Sequence, residues 1–165
     1  MTYKIELEDA LKSYTYDQDK IISPEETVSR FKEKLSNLDM DILSRTRRID
    51  NGRLNIPVFF SECGHDAQKI IGTKKQMGKG GTPAQAEASA VMELAERFSF
   101  FSFAGEEKNF SYASFKDMEE KAMPFEEIIK SVHDNKADAL KIKPVFETIP
   151  MRWTRGYNLT RKKEV

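Results

Sequence analysis

The sequence predicts an α+β fold in which an antiparallel sheet packs against two or three helices on one of its faces. Three observations predict it: a helical pattern opened by Ser23-Pro24, a strand pair around Asn51-Gly52, and a long alanine-rich segment that begins at Thr82. The 165 residues fit one domain or a piece of a larger one. Their 39% hydrophobic and 33% charged residues can supply both a core and a polar surface.

The first helix is expected to start after Ser23, which is a favoured capping residue. Pro24 suits the first helical position, and Glu26 stands where it would complete a capping box. Apolar residues then follow at helical spacing: Val28, Phe31, Leu35 and Leu38. Residues 1–19, which are polar and lack a clear period, are expected to form an N-terminal arm, and residues 20–165 the domain itself.

A hairpin is expected next, with strands at residues 42–50 and 54–60. Asn51-Gly52 is typical of a two-residue turn because both positions tolerate positive φ. Pro57 indicates an edge position or a bulge in the returning strand. Residues 69–77 are expected to add a third strand.

The longest helix is expected over residues 82–103, after a flexible loop formed by Gly78-Lys79-Gly80-Gly81. Thr82 and Gln85 have the spacing of a capping box, and Pro83 occupies the first helical position. The segment is rich in alanine and has no internal glycine or proline, which favours a helix.

Three later segments complete the predicted order. A helix is expected from Pro124 to about His133, a strand over residues 139–145, and a strand and turn over residues 149–160. The chain therefore combines helices and strands along its whole length.

The helix over residues 82–103 carries the residues best placed for chemistry. At about 100° per residue, Gln85, Glu93 and Glu96 fall within about 40° of Ser89, and Arg97 about 80° from it. The apolar residues Ala90, Val91, Leu94, Phe98 and Phe101 lie roughly opposite. Two carboxylates one turn apart suit Mg²⁺, which prefers oxygen ligands. The same residues also fit an ordinary solvated face with a Glu93–Arg97 ion pair, so both interpretations stay open.

The glycine loop before this helix is a second candidate for ligand binding. Free backbone N–H groups and the helix dipole favour an anion at a helix N-terminus, and Lys79 would add a positive charge. The loop does not match a Walker A motif, because Gly80 stands where Ser or Thr should follow the lysine. An ordinary connecting loop is the alternative.

Charge and composition exclude several classes of protein. The chain has 27 Lys and Arg residues against 27 Asp and Glu residues, so bulk positive charge does not predict nucleic-acid binding. No segment is apolar enough to span a bilayer, and we expect a soluble cytoplasmic protein. Cys63 is the only cysteine and has no internal disulfide partner. Arg45, Arg47 and Arg48 form a basic cluster, read as a solvated strand face or as a contact for phosphate or peptide.

Several blocks of the sequence resemble the YcaO family. They are Gly78-Lys79-Gly80, Thr82-Pro83-Ala84-Gln85-Ala86 and Ser89-Ala90-Val91-Met92-Glu93-Leu94-Ala95-Glu96-Arg97-Phe98. Residues 20–31 resemble the opening segment of the family, in which a basic residue is followed seven positions later by a hydroxyl residue. Residues 150–160 resemble a later connection.

This resemblance implies ATP and Mg²⁺ as cofactors and a peptide or protein as substrate. Glu93 and Glu96 would hold Mg²⁺, and Glu93 would thereby also bind the nucleotide. Lys20 and Thr27 would contact the nucleotide, and Ser89 would lie beside it. The family activates backbone amides by phosphorylation, which leads to an azoline, a thioamide or an amidine. A partner protein would recognise the substrate or deliver sulfur. Catalytic residues are not assigned.

The resemblance covers the N-terminal part of a YcaO domain, and a second glutamate-arginine helix is missing from the sequence. We therefore expect a truncated domain that is inactive alone as an enzyme. The alternative is a non-catalytic assembly or adaptor domain, or an accessory factor in protein modification. A homodimer is a further expectation for either case.

Overall fold

The computed structural model describes residues 6, 8–9, 20–118, 122–130 and 136–164. The chain divides into two compact units, Leu7–Gly105 and Glu106–Val165. The expected N-terminal arm lies outside the described residues, apart from residues 6, 8 and 9. No helix in the described part of the chain is long and apolar enough to cross a membrane.

The Leu7–Gly105 unit contains a three-stranded antiparallel sheet with strand order β1-β2-β3. Its elements in chain order are α1 (Pro24–Ser36), β1 (Leu43–Arg48), β2 (Val58–Cys63), α2 (His65–Ile71), β3 (Lys75–Lys79) and α3 (Pro83–Ala104). Helix α3 packs on the sheet and α1 packs on α3. The predicted α+β class with an antiparallel sheet is therefore confirmed.

Helix α1 begins as the sequence predicts, at a cap made by Ser23. The Ser23 hydroxyl accepts a hydrogen bond from the backbone N–H of Glu26 at 3.1 Å. The Glu26 side chain does not close a capping box, because its carboxylate pairs with Arg30 one turn later. Half of the expected box is present, and an ion pair replaces the other half.

The β1–β2 hairpin is confirmed, but its connection is longer than a two-residue turn at Asn51-Gly52. The connection comprises residues 49–57. Asp50 organises it: the carboxylate accepts the backbone N–H of Val58 at 3.0 Å and two guanidinium N–H groups of Arg48 at 2.7 and 3.0 Å. The chain therefore closes on this carboxylate, which joins the end of β1 to the start of β2.

The third strand begins later than the sequence predicts, and a helix occupies the first part of the expected strand. Helix α2 ends at Ile71 and is capped by Gly72, which adopts a φ of 77° and donates its N–H to the Gln68 carbonyl at 2.9 Å. The Asp41 carboxylate accepts the N–H of His65 at 2.7 Å and so caps the other end. Strand β3 includes Gly78 and Lys79, which are therefore not part of a flexible loop.

The core of this unit lies between α3 and the sheet. Its buried cluster comprises Ile42, Cys63, Ala67, Ile71 and Leu94, with Leu35, Leu43 and Phe98 packed against it. The buried Ser61 hydroxyl donates to the Ala90 carbonyl at 2.8 Å and so joins β2 directly to α3. This bond helps to fix the rotation of α3 about its own axis relative to the sheet.

The Glu106–Val165 unit is built from short elements. They are a 3-10 turn (Glu107–Asn109), β4 (Ser111–Ala113), α4 (Phe115–Met118), α5 (Phe125–Lys130), α6 (Lys136–Lys141), α7 (Lys143–Thr148), β5 (Met151–Trp153), β6 (Tyr157–Asn158) and β7 (Lys163–Glu164). Strands β4 and β5 form one antiparallel pair, and β6 and β7 another.

Aromatic rings form the core of this unit. Phe146 lies 5.2 Å from Phe115 and 4.9 Å from Phe125 between ring centroids, and Trp153 lies 6.3 Å from Phe115. The Trp153 indole N–H donates to the Ala113 carbonyl at 2.9 Å. These contacts connect α4, α5, α7 and β5.

Two of the three later predictions are confirmed in type. Helix α5 follows Pro124, although residues 131–135 of the expected helix lie outside the described residues. The strand and turn over residues 149–160 appear as β5 and β6. The strand expected over residues 139–145 is wrong: this stretch forms the end of α6 and the start of α7. Pro144 lies in the first turn of α7, where its missing N–H has no intrahelical partner to lose.

Candidate functional site

Helix α3 positions the candidate site, and its start is sealed by its own side chains. The Thr82 hydroxyl accepts the N–H of Gln85 at 3.2 Å. The Gln85 side-chain oxygen accepts the N–H of Thr82 at 3.2 Å and that of Gly81 at 2.9 Å. The predicted capping box is thus confirmed and reaches one residue further back along the chain.

The anion site expected at the glycine loop is not supported by this geometry. Gly81 and Thr82 donate to Gln85, and Gly80 donates to the Pro57 carbonyl at 3.3 Å. Pro83 has no N–H to offer. The N–H groups of Gly80, Gly81, Thr82 and Gln85 are therefore already paired within the protein, which leaves few backbone donors for a phosphate.

The glycines before α3 serve close packing. A Cβ atom built on Gly78 would lie 2.1 Å from the Ala90 nitrogen, and one on Gly80 would lie 2.6 Å from the Gln85 Cβ. Both distances are far below van der Waals contact, so only glycine allows β3 and the loop after it to approach the helix this closely.

The polar and apolar faces of α3 lie as its sequence predicts. Ser89, Glu96 and Arg97 are exposed, and Gln85 and Glu93 are half-buried. Three residues of the opposite face, Ala90, Val91 and Leu94, are 0% exposed, and Phe98 is half-buried. Phe101 departs from the pattern at 38% exposed, because it lies in the last turn of the helix.

The two carboxylates of this face differ in their surroundings. Glu93 accepts a hydrogen bond from Arg97, with 2.5 Å between Nε and Oε1. This is the i, i+4 pair that the sequence offered as the alternative to a metal site. Within the described residues no basic side chain pairs with Glu96, so its carboxylate is open to solvent. Both acidic groups nevertheless remain on one face, one turn apart.

A groove between α1 and α3 lies beside this face. Its volume is about 840 Å³. Thr27 and Phe31 line it from α1, and Met92, Ala95 and Ser99 are among the lining residues of α3. Neither glutamate lines the groove, but Glu96 is four residues after Met92 and three before Ser99. Glu96 therefore lies at its margin by helical spacing.

The groove was missed by the sequence reasoning, although a signal for it exists. The apolar face of α1 includes Phe31 and Leu35, and Leu38 follows just after the helix ends at Ser36; all three line the groove. Leu38 is 50% exposed. Two helices whose apolar faces are wider than their contact leave a channel between them.

The structure brings together some of the predicted nucleotide ligands. Ser89 lies on the same face as Glu93 and Glu96. Thr27 lines the neighbouring groove, with its hydroxyl donating to the Ser23 carbonyl at 3.0 Å. Lys20 is exposed ahead of α1 and does not line the groove. The ligand roles of all five residues stay predictions.

The donor set fits Mg²⁺ in kind. Mg²⁺ in phosphate sites takes one or two protein carboxylates, with phosphate oxygens and water filling the other positions. Glu93 and Glu96 supply that number. Within the described residues there is no group of three or more His, Cys, Asp or Glu side chains placed to hold a metal ion without such help.

Comparison with known proteins bears on the family of this chain. The family model described as YcaO cyclodehydratase, ATP- and Mg²⁺-binding, matches residues 77–165, which include α3 but not Lys20 or Thr27. No curated protein sequence matches the chain.

Two solved structures share the fold. One is a YcaO from Methanopyrus kandleri bound with AMPPCP and Mg²⁺, at 19% identity and a TM-score of 0.52, covering 93% of this chain and 34% of that one. The other is a heterocyclase in complex with substrate and cofactor, at 17% identity and a TM-score of 0.60, covering 98% of this chain and 23% of that one. The chain spans about a third of the first and a quarter of the second. With more than half of its residues matched by the family model, the chain belongs to the YcaO family.

Proposed function

We propose that this chain contributes part of the Mg²⁺–ATP site of an enzyme that activates a peptide backbone amide. The observation that carries the proposal is the exposed acidic face of α3, with Glu93 and Glu96 one turn apart beside the α1–α3 groove. Bound ATP would supply the phosphoryl group that the amide oxygen accepts, leading to an azoline, a thioamide or an amidine.

The two glutamates have separate roles in this proposal. Glu96, whose carboxylate has no basic partner among the described residues, offers its oxygens directly to Mg²⁺. Glu93 is held by Arg97 through Oε1, which limits its rotamers and aims the carboxylate along the helix face. A positioned carboxylate loses less conformational entropy when a cation binds than a free one does.

The nucleotide would lie along the groove margin. Thr27 lines the groove from α1, and Ser89 is exposed one turn before Glu93. Lys20 precedes α1 and would contribute positive charge to the phosphates. A hydroxyl from each helix and one lysine complement the two glutamates, so that the protein would hold both the cation and its nucleotide.

The remaining ligands would come from outside this chain's described residues. Mg²⁺ needs about six oxygens in near-octahedral geometry, and two carboxylates on one helix leave most positions open. The chain also spans only 34% and 23% of the two solved structures it resembles. We therefore expect no ATP turnover by this chain alone. A separate polypeptide that recognises the peptide or delivers sulfur would complete the system.

Calorimetric titration of Mg²⁺–ATP into the protein tests the proposal. Glu96→Gln and Glu93→Gln should each weaken Mg²⁺-dependent binding about tenfold or more, because each removes a negative ligand. Glu87→Gln is the matched control: Glu87 lies on the other side of α3 and accepts a hydrogen bond from Thr46 at 2.7 Å, which glutamine can keep. The proposal fails if binding does not depend on Mg²⁺, or if all three variants bind like the parent.

A non-catalytic assembly or adaptor domain is the second candidate. The Glu93–Arg97 pair favours it, since this contact is what a solvated helix face would show without any ligand. This candidate predicts no heat of Mg²⁺–ATP binding to the parent protein. The same titration therefore separates the two functions.

A further inference from the structure

The three-stranded sheet has one face against α3 and another that carries cations. Strand pairing aligns Arg47 with Phe60 and Phe60 with Met77. A neighbouring row aligns Arg45, Glu62 and Lys75, and a third aligns Val58 with Lys79. Alternate residues of a strand point to opposite faces, so these eight residues share one face. We call it the outer sheet face.

The opposite face of the sheet is the one that packs against α3. Ser61 hydrogen-bonds the Ala90 carbonyl at 2.8 Å, and Gly78 lies too close to α3 to accept a Cβ. Ser61 pairs with Thr46 and Gln76 across the sheet. The outer sheet face is thus the side that points away from α3.

Cations dominate the outer sheet face. Arg45 pairs with Glu62 at 2.5 Å, and Lys75 lies over the Phe60 ring, 5.6 Å from its centroid. Within the described part of the chain no acidic side chain pairs with Arg47 or Lys79, and both are exposed. Four cations therefore share this face with a single carboxylate, although the whole chain has no net charge.

An apolar centre accompanies these charges. Met77 is 54% exposed in the row that also contains Arg47 and the half-buried Phe60. Charged side chains alone would suit a solvated sheet surface and would also discourage aggregation. An exposed methionine beside a ring, with unpaired cations on two strands, departs from that pattern and is typical of a contact surface.

We propose that the outer sheet face binds an extended acidic peptide segment. Side chains on one side of an extended peptide repeat about every 6.6 Å, and neighbouring strands of the sheet lie about 4.8 Å apart. Carboxylates of the segment can therefore reach Arg47 and Lys79 while an apolar side chain between them packs on Met77. In taking this segment as part of the peptide substrate, the inference rests on the proposed function. The binding itself requires no nucleotide.

The composition of the face favours a peptide over a nucleic acid. The Phe60 ring is half-buried and has Lys75 above it, which leaves little ring surface for a base to stack on. Glu62 lies among the cations and would repel a phosphate backbone, and the chain has no net positive charge to attract one.

Fluorescence anisotropy without nucleotide tests the inference. The probe is a fluorescein-labelled peptide of about eight residues, Glu-Ser-Val-Ser-Glu-Ser-Val-Ser, whose Glu and Val side chains share one side of the extended chain and which is long enough to cross three strands. We expect saturable binding to the protein that weakens severalfold as salt rises. The double variant Arg47→Glu with Lys79→Glu should weaken binding about tenfold or more, because both unpaired cations are reversed.

The matched control is Lys34→Glu with Lys116→Glu, which makes the same total charge change at exposed lysines off the sheet. Circular dichroism first establishes that both double variants melt like the parent. The inference is overturned if the control weakens binding as much, if a Lys-Val peptide binds as well, or if single-stranded oligothymidylate of similar length displaces the peptide and binds tighter. Because nucleotide is absent, unchanged Mg²⁺–ATP binding in Glu96→Gln and Glu93→Gln together with normal peptide binding would overturn only the proposed function.

Discussion

In the Leu7–Gly105 unit a 22-residue helix lies against a three-stranded sheet, whereas in the Glu106–Val165 unit the longest described helices have six residues and each sheet has two strands. The first unit achieves contact through small residues such as Gly78, Ala86 and Ala90, which let backbones approach. The second joins short pieces through large rings, chiefly Phe115, Phe146 and Trp153. The comparison teaches that a long helix needs a smooth partner surface, while short elements need bulky side chains to reach one another.

The largest effect is expected where small size is essential. Gly78→Ala places a Cβ 2.1 Å from the Ala90 backbone nitrogen, so helix and strand must separate. We expect the free energy of unfolding to fall by about 3 kcal/mol, measured by urea denaturation followed by far-ultraviolet circular dichroism. Gly52→Ala is the control, since nothing lies within 4 Å of its added Cβ and only its φ of +74° is unfavourable. It should lose about 1 kcal/mol. Equal losses would break the comparison.

A matched pair of core substitutions sharpens the contrast between the units. Leu94→Ala empties a position that is 0% exposed against the sheet, and should lower the free energy of unfolding by about 3 kcal/mol. Phe115→Leu removes a ring from the aromatic core but keeps an apolar side chain, and should lower it by about 1 kcal/mol.

Trp153, the one tryptophan of the sequence, reports on the second unit through its contact with Phe115. We expect its fluorescence in the native state to change in Phe115→Leu and to stay unchanged in Leu94→Ala. A native-state emission change in Leu94→Ala would show that the two cores are not the local structures described above.

The smallest effect is expected from one carboxylate in each unit. Hydrogen bonding by Arg48, and then by the Val58 N–H, holds the pKa of Asp50 far below its ordinary range. The Ser114 hydroxyl, and then its backbone N–H, lowers the pKa of Asp117. A lowered pKa means that the stabilisation is present above the ordinary value of about 4 and is lost as pH falls.

Measuring the free energy of unfolding between neutral and acid pH tests this comparison. Asp50→Asn and Asp117→Asn should both destabilise at neutral pH and approach the parent as pH falls. Salt should reduce the difference in the free energy of unfolding between parent and Asp50→Asn, because the partner of Asp50 is charged. It should leave the corresponding difference for Asp117→Asn unchanged, because the partner of Asp117 is a neutral hydroxyl. A difference that grows toward acid pH would contradict the assigned direction of the pKa shifts.

Local signals account for what could be predicted from the sequence. The capping residues Ser23 and Thr82 predict where the two main helices begin. The helical spacing of Ala90, Val91 and Leu94 predicts which face of α3 is buried. The polar face with Glu93 and Glu96 follows from the same period. These features depend on residues within one or two turns of each other.

The errors concern contacts between distant residues. The long β1–β2 connection depends on Asp50 meeting Val58, and helix α2 depends on Asp41 capping His65, 24 positions away. The sequence predicts a strand in the α6–α7 segment because its short apolar run has no clear period, whereas ring contacts at Phe146 favour a helix. The groove beside Glu96 likewise requires knowing how α1 and α3 pack.

The sealed start of α3 has a consequence for any genetic survey of this protein. The rotation of α3 about its axis is fixed before a ligand binds, by the capping bonds between Thr82 and Gln85 and by the close packing at Gly80. The loop therefore determines the direction in which the acidic side chains point. A bulky replacement at Gly80 would turn those side chains away without touching them. In a screen for lost activity, substitutions at Gly80 would therefore look like substitutions of a ligand-binding residue. The role of Gly80 is nevertheless to orient the helix and not to contact the ligand.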